Sequence, residues 1–173
     1  MRGLTKEDCQ GQYLSMVNDA EFLYFVEGIG YYPLNPNNLE RYVESNNNSS
    51  NLLVGIFENG TNTHVGNIHL SQIKPYHNNC MLGIIMQRDY TGKGYALEAT
   101  NLMVTHAFKV MNLHRIQINV VAENTNAIKL YERIGAEREG LLKEAFYFDN
   151  KYQDVIVYGL LKARYFKRKV RGK

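Results

Sequence analysis

Apolar residues recur along the chain with two periods, and the switches between them separate strands from helices. Asn51–Glu58 (NLLVGIFE) predicts a strand, Asn59–Gly60 a turn, and about His64 to Ile73 a second strand, together a hairpin. Cys80–Met86 (CMLGIIM) is apolar on both faces and is expected at the centre of a sheet. The period then lengthens: Ala96, Ala99, Met103, Ala107 and Val110 predict a helix over Tyr95–Met111. His114–Val121 alternates again, with Ile116, Ile118 and Val120 on one face and Gln117 and Asn119 on the other. Asn124 is placed to cap a short helix carrying Ala127, Ile128, Leu130 and Tyr131, which Gly135 ends. Two further strands, roughly Glu137–Tyr147 and Tyr152–Leu161, meet at Asp149–Asn150. Ahead of all these, Asn18–Glu44 is expected to be helical with a turn at Pro33–Pro36, and Ser45–Asn51 (SNNNSSN) to be a polar loop. The order β-β-β-α-β-α-β-β describes one mixed α/β sheet, neither a barrel nor a doubly wound dinucleotide fold.

Composition narrows the class without naming a function. In 173 residues, 45% hydrophobic and 21% charged side chains are ordinary for a globular domain with a core. No apolar run approaches 18 residues and no basic-then-apolar leader follows Met1, so a cytoplasmic protein without membrane contact is expected. Cys9 and Cys80 make no disulfide framework and have no nearby Cys/His set, so no metal is expected. The net charge of +3 is unevenly spread: residues 1–86 hold 4 basic and 8 acidic side chains, residues 87–173 hold 16 and 9. Seven of the basic residues lie in the last twelve positions, and without them the net charge would be −4. The expected layout is one domain over residues 1–161 and a basic tail, 162–173, read as a solvated, frayed end. Nucleic acid is not expected as a partner, although a basic tail is one way to touch it.

The segment richest in chemistry is Arg88–Ala96 (RDYTGKGYA), which leads from the central strand into the long helix. Gly92 and Gly94 permit unusual backbone angles and close approach, Lys93 adds a positive charge, and the helix start adds unpaired N–H groups. Such a nest binds phosphate. It is not a Walker loop, because Gln87 stands where the first glycine belongs and Gly94 where Ser or Thr belongs; Leu97 likewise spoils a dinucleotide fingerprint. An ordinary glycine turn remains open on these residues alone.

Taken together, Thr91–Ala96 (TGKGYA), the long helix, the alternating strand and Asn124-x-x-Ala127-Ile128-x-x-Tyr131-Glu132-x-x-Gly135 resemble the GNAT superfamily of acyl-CoA-dependent N-acetyltransferases. The likeness covers about Leu52–Leu161. It is closest to the branch of ribosomal-protein and polyamine acetyltransferases, with nucleotide-amino-sugar acetyltransferases similar again. Asn112–Ile116, Glu139–Gly140 and Tyr152–Ile156 recur in that branch. Two departures are Thr91, where the family has Gln or Arg, and Gly135-Ala136, where it has Gly-Phe.

The resemblance implies a mostly antiparallel GNAT-like sheet flanked by helices and acetyl-CoA as co-substrate. It implies that backbone at Ile84, Ile85 and Met86 pairs with the pantetheine arm and that the amides of Gly92, Lys93, Gly94, Tyr95 and Ala96 hold the pyrophosphate. Asn124 falls where the family contacts the cofactor arm, and Tyr131 where a tyrosine faces the thioester sulfur. An alkyl ammonium must lose a proton before attack, at a cost of roughly 4–5 kcal/mol at pH 7. His69, on one strand face with Asn67 and Ser71, is a candidate base; a half-exposed strand histidine is the other reading, and Glu123 and Asp154 are alternatives. No cysteine occupies a motif position, so direct transfer in a ternary complex is expected. The acceptor order is a nucleotide-linked amino sugar or similar small amine, then a protein N-terminus, then a polyamine. A non-catalytic acyl-CoA-binding module is the rival reading. An exposed sheet edge leaves room for a homodimer.

Overall fold

One crossover decides the sheet. The computed structural model describes residues 1–19 and 33–171. Among these, seven strands form one sheet: β1 (Asn47–Asn48), β2 (Asn51–Phe57), β3 (His64–Lys74), β4 (Asn79–Met86), β5 (Arg115–Val121), β6 (Glu137–Phe148) and β7 (Lys151–Leu161). Their spatial order is β1-β2-β3-β4-β5-β7-β6. Tight turns make the neighbours antiparallel, as at Asp149 and Asn150, whose positive φ of 49° and 57° close a two-residue hairpin between β6 and β7. Helix α3 (Tyr95–Lys109) instead carries the chain from β4 across to β5, and that pair alone runs parallel. The mostly antiparallel sheet flanked by helices is therefore present as expected.

Each face of the sheet buries its own apolar set. On one face Ile68, Leu70, Leu82, Ile116, Ile118 and Leu160 pack with Met103, Val104, Ala107 and Phe108 of α3. Against Leu53 on the other pack Tyr13, Met16 and Val17 of α1 (Gln12–Val17) and Leu39 and Val43 of α2 (Pro36–Ser45). Helix α2 begins where Asn35 accepts a hydrogen bond from the Asn38 amide at 2.9 Å, with Pro36 in the first turn. The rest of the helical stretch expected over Asn18–Glu44 lies largely in residues 20–32, outside the described residues. Helix α4 (Thr125–Ile134) has the predicted ends: Asn124 Oδ1 accepts from the Ala127 amide at 3.1 Å, and Gly135 takes φ +93°.

Three sequence expectations change. Helix α3 stops at Lys109 rather than Met111, because Asn112 turns left-handed (φ 54°) and the Leu113 amide reaches back to Ala107 O at 3.0 Å. The polar loop Ser45–Asn51 contains a short strand, β1, folded onto β2. The segment read as a frayed tail is helix α5 (Lys162–Arg171) as far as Arg171. Net charge concealed its single anchoring row: Tyr165 is 2% exposed, and its hydroxyl donates to Asn101 O and Oδ1 at 3.1 and 3.0 Å. Phe166 packs edge-on to Phe108, Arg164 pairs with Glu137, and Arg168 donates to Glu132 O at 3.3 Å beside the end of α4.

Docking of α5 is testable through its buried ring. Tyr165→Ala is expected to lower unfolding free energy by about 3 kcal/mol, as for other buried aromatic truncations. Urea denaturation checks this, and a change under 0.5 kcal/mol would contradict a docked helix.

Candidate active site

The parallel pair comes apart almost as soon as it forms. Strands β4 and β5 register only at Asn79–Arg115, Cys80–Ile116 and Met81–Gln117. Past that point β4 stays with β3 as far as the Met86–Gly66 pair, and β5 stays with β7 as far as Val121–Val155. Leu82–Met86 therefore presents one edge without a strand partner, facing the free edge of Ile118–Val121. Gly66 makes the tight β3 side feasible, since a Cβ there would run into the Ile85 carbonyl oxygen.

The parting opens a cavity of about 260 Å³ that reaches both faces of the sheet. Ile84, Ile85, Asn124 and Tyr131 line it from the β4 edge and α4, and Asn67, His69 and Ser71 from β3. Tyr13, Tyr42 and Phe146 form walls contributed by α1, α2 and β6. No Asp or Glu is among its described lining residues. Tyr131 is 4% exposed, and burial pushes its phenol up from the usual tyrosine range, so it stays protonated at neutral pH. His69 Nε2 is buried without a hydrogen-bond partner, and desolvation lowers the imidazole below its ordinary value, favouring the neutral ring. The other two candidate bases are elsewhere engaged or exposed. Asp154 accepts from Lys143 Nζ at 2.8 Å and the Glu144 amide at 3.0 Å, while Glu123 faces solvent.

Beyond Met86 the chain makes a short turn, Arg88–Tyr90, and enters the glycine loop. Gly92 and Gly94 have φ of +74° and +91°, and a Cβ at either would meet nothing within 4 Å. The Glu98 amide is already bonded to Gly94 O at 3.1 Å, which leaves the amides of Tyr95, Ala96 and Leu97 as the unpaired first turn of α3. The loop is held from outside. The Tyr95 hydroxyl donates to Glu58 in the β2–β3 turn, and that bond draws the Glu58 carboxyl below the usual carboxylate range. Tyr90 meets Tyr95 edge-on at 5.9 Å, and Lys93 Nζ lies 4.9 Å over the Tyr90 ring. Unpaired amides, room where side chains would be and a free strand edge leading to them fit a long ligand with a diphosphate. Among the described residues no group of three or more His, Cys, Asp or Glu is arranged to hold a metal, and no helix is long and apolar enough to cross a membrane.

A sequence model of the acetyltransferase (GNAT) domain matches residues 1–137. The chain belongs to this GNAT acetyltransferase family. Among its relatives, a spermidine N(1)-acetyltransferase of Vibrio cholerae is 33% identical over 113 residues, 65% of each chain. A putative ribosomal N-acetyltransferase of Bacillus subtilis, YdaF, is 28% identical over 56% of this chain and 53% of its own. Both matches span less than two thirds of the relative's length. Over whole structures the likeness is broader. The Vibrio cholerae spermidine N-acetyltransferase, solved with CoA and spermine, superposes with a TM-score of 0.86 at 25% identity over 95% of this chain and 96% of that one.

In this GNAT domain the residues singled out from sequence fall into two groups. Tyr131, His69, Ile84, Ile85 and Asn124 meet at the cavity; Gly92, Lys93, Gly94, Tyr95 and Ala96 lie past Met86, where the free edge runs out. Sequence reasoning missed the aromatic walls from Tyr13, Tyr42 and Phe146, whose approach depends on tertiary packing with no local signal. It also missed His64, which the alternation of β3 hides because a local irregularity places it inside.

Gly94→Val tests the loop. A branched side chain at φ +91° fills the space before the unpaired amides, and calorimetry is expected to show CoA affinity reduced at least 100-fold. Unchanged affinity would place the diphosphate elsewhere.

Proposed function

We propose that this protein transfers the acetyl group of acetyl-CoA directly to a primary amine. The observation that carries this reading is the free edge of β4, opened by its parting from β5 and continued by the glycine loop. Main-chain groups at Ile84, Ile85 and Met86 offer the pantetheine arm a strand to pair with, and the amides from Gly92 to Ala96 offer the pyrophosphate donors at a helix N-terminus. Asn124, turned toward its own helix by its cap bond, flanks the arm. The donor supplies an activated thioester. His69, neutral and unpartnered, takes the proton the attacking ammonium must shed. Tyr131, kept protonated by burial, gives one to the departing thiolate. A cytoplasmic setting and a homodimer through the exposed β6 edge complete the reading.

The acceptor order changes from the one drawn from sequence. Spermidine appears in the names of the relatives, so a polyamine moves ahead of an amino sugar, for which they give no support. The wall of Tyr13, Tyr42 and Phe146 suits this, because aromatic faces hold ammonium groups without a carboxylate. A protein N-terminus stands second, on the ribosomal relative.

Thiol release with spermidine, spermine, N-terminal peptides and a nucleotide-linked amino sugar tests the assignment. Spermidine is expected to give the highest kcat/KM. Tight acetyl-CoA binding without thiol release from any amine would make the protein a binding module instead. Tyr131→Phe should cut kcat about 10²-fold with KM for acetyl-CoA unchanged. Wild-type turnover should fall as pH drops through the lowered His69 pKa, where the ring takes up a proton. His69→Gln should abolish that acidic limb along with most of the rate, and a limb that persists would assign the base to another group.

A further inference from the structure

His64 opens β3 and is buried. Its Nε2 lies 2.9 Å from Gly66 O and 3.0 Å from Asn67 Oδ1. A carbonyl oxygen only accepts, so Nε2 carries the hydrogen and Nδ1, buried without a partner, carries none. Desolvation favours the same neutral form. The ring cannot turn to exchange these roles: Phe57 stacks on it at 4.7 Å and Tyr13 meets it edge-on at 5.0 Å. The orientation of the Asn67 amide follows. Its oxygen answers the His64 N–H, which leaves Nδ2 as the end directed away from His64.

Asn67 is 3% exposed and lines the cavity, and its Nδ2 donates to no described residue. Its register partner on the neighbouring strand is Ile85, within the free β4 edge; His69, two residues on, lies opposite Gly83. Two residues along a strand are about 6.6 Å. The two side chains therefore stand side by side on one face with opposite capacities. An NH2 group only donates and so is useless to an incoming ammonium; its natural partner is an oxygen. The neutral imidazole can accept.

We infer that Asn67 is a catalytic residue whose Nδ2 donates to the acyl oxygen of the bound thioester, and that His64 is a positioning residue that fixes the Asn67 amide for this task. The inference rests on the acetyl-transfer reading above. As the amine attacks, the carbonyl electron pair moves onto the acyl oxygen and negative charge grows there. A preoriented donor is worth most at that point. His69 serves the amine side of the same event, so β3 places donor and base one strand repeat apart.

Calorimetry with two ligands tests this without turnover: CoA, and acetonyl-CoA, in which a ketone replaces the reactive thioester. Wild type is expected to bind the ketone more tightly than CoA. Asn67→Ala should keep CoA affinity and lose that preference, acetyl-CoA binding should weaken along with that of the ketone, and kcat with an amine acceptor should fall on the order of 10²-fold. Asn67→Asp retains the oxygen facing His64 but turns an anion toward the ketone, so it should prefer CoA; it also controls for misfolding of the alanine variant. His64→Ala added to Asn67→Ala should cost no further kcat, whereas a purely structural histidine would lower it independently. An undiminished ketone preference and kcat in folded Asn67→Ala or Asn67→Asp overturns the assignment alone. Failure of wild type to bind CoA overturns the acetyl-transfer reading and the assignment together.

Discussion

Three register pairs between β4 and β5 are the constraint on which the rest depends. They hold the two halves of the sheet together at one end, and the antiparallel partners β3 and β7 draw the strands apart beyond it. Sheet twist turns a short pairing into a wedge-shaped opening. The buried apolar rows beneath α3 continue across the joined end, so the opening costs backbone pairing without emptying the core. Strand edges are otherwise a liability in a folded protein. Here the edge borders the cavity left between β4 and β5.

Polar groups that lack a protein partner border this opening, while the buried His64 Nδ1 lies off it. His69 Nε2 is buried without a partner, and Asn67 Nδ2 and the Tyr131 hydroxyl border the same space. Each unsatisfied buried group costs roughly 1–3 kcal/mol. His69 Nε2, left unsatisfied at the cavity, suits a site that completes its hydrogen bonds with a ligand. The Thr100 hydroxyl, buried in α3 away from the cavity, is also unsatisfied, and nothing in the structure explains it.

The sequence made the second half of the fold legible because its signals are local. The alternation of β5, the Asn124 cap, Gly135 and the glycine loop are each written in fewer than a dozen residues. The register Asn67–His69–Ser71 was readable for the same reason. What escaped was set at long range. No local pattern brings Tyr13, Tyr42 and Phe146 to one cavity, and nothing in the sequence shows that β4 and β5 part after Met81. The last segment misled because seven cations outweigh one tyrosine in any composition, whereas a single buried Tyr165 with two hydrogen bonds is enough to dock a helix. His64 was overlooked because its importance lies in a tautomer, which depends on neighbours and not on residue type.

An edge left open along Leu82–Met86 also bears on how long the molecule survives. A ligand bound in the opening as proposed would supply the missing rungs of the sheet and tie the two halves over a longer seam. Only the folded chain can accept it, so a ligand at 100 times its dissociation constant adds about 2.7 kcal/mol against unfolding. Resistance to proteolysis would then rise and fall with the supply of that ligand, and the amount of protein present would track the metabolic state before a single turnover took place.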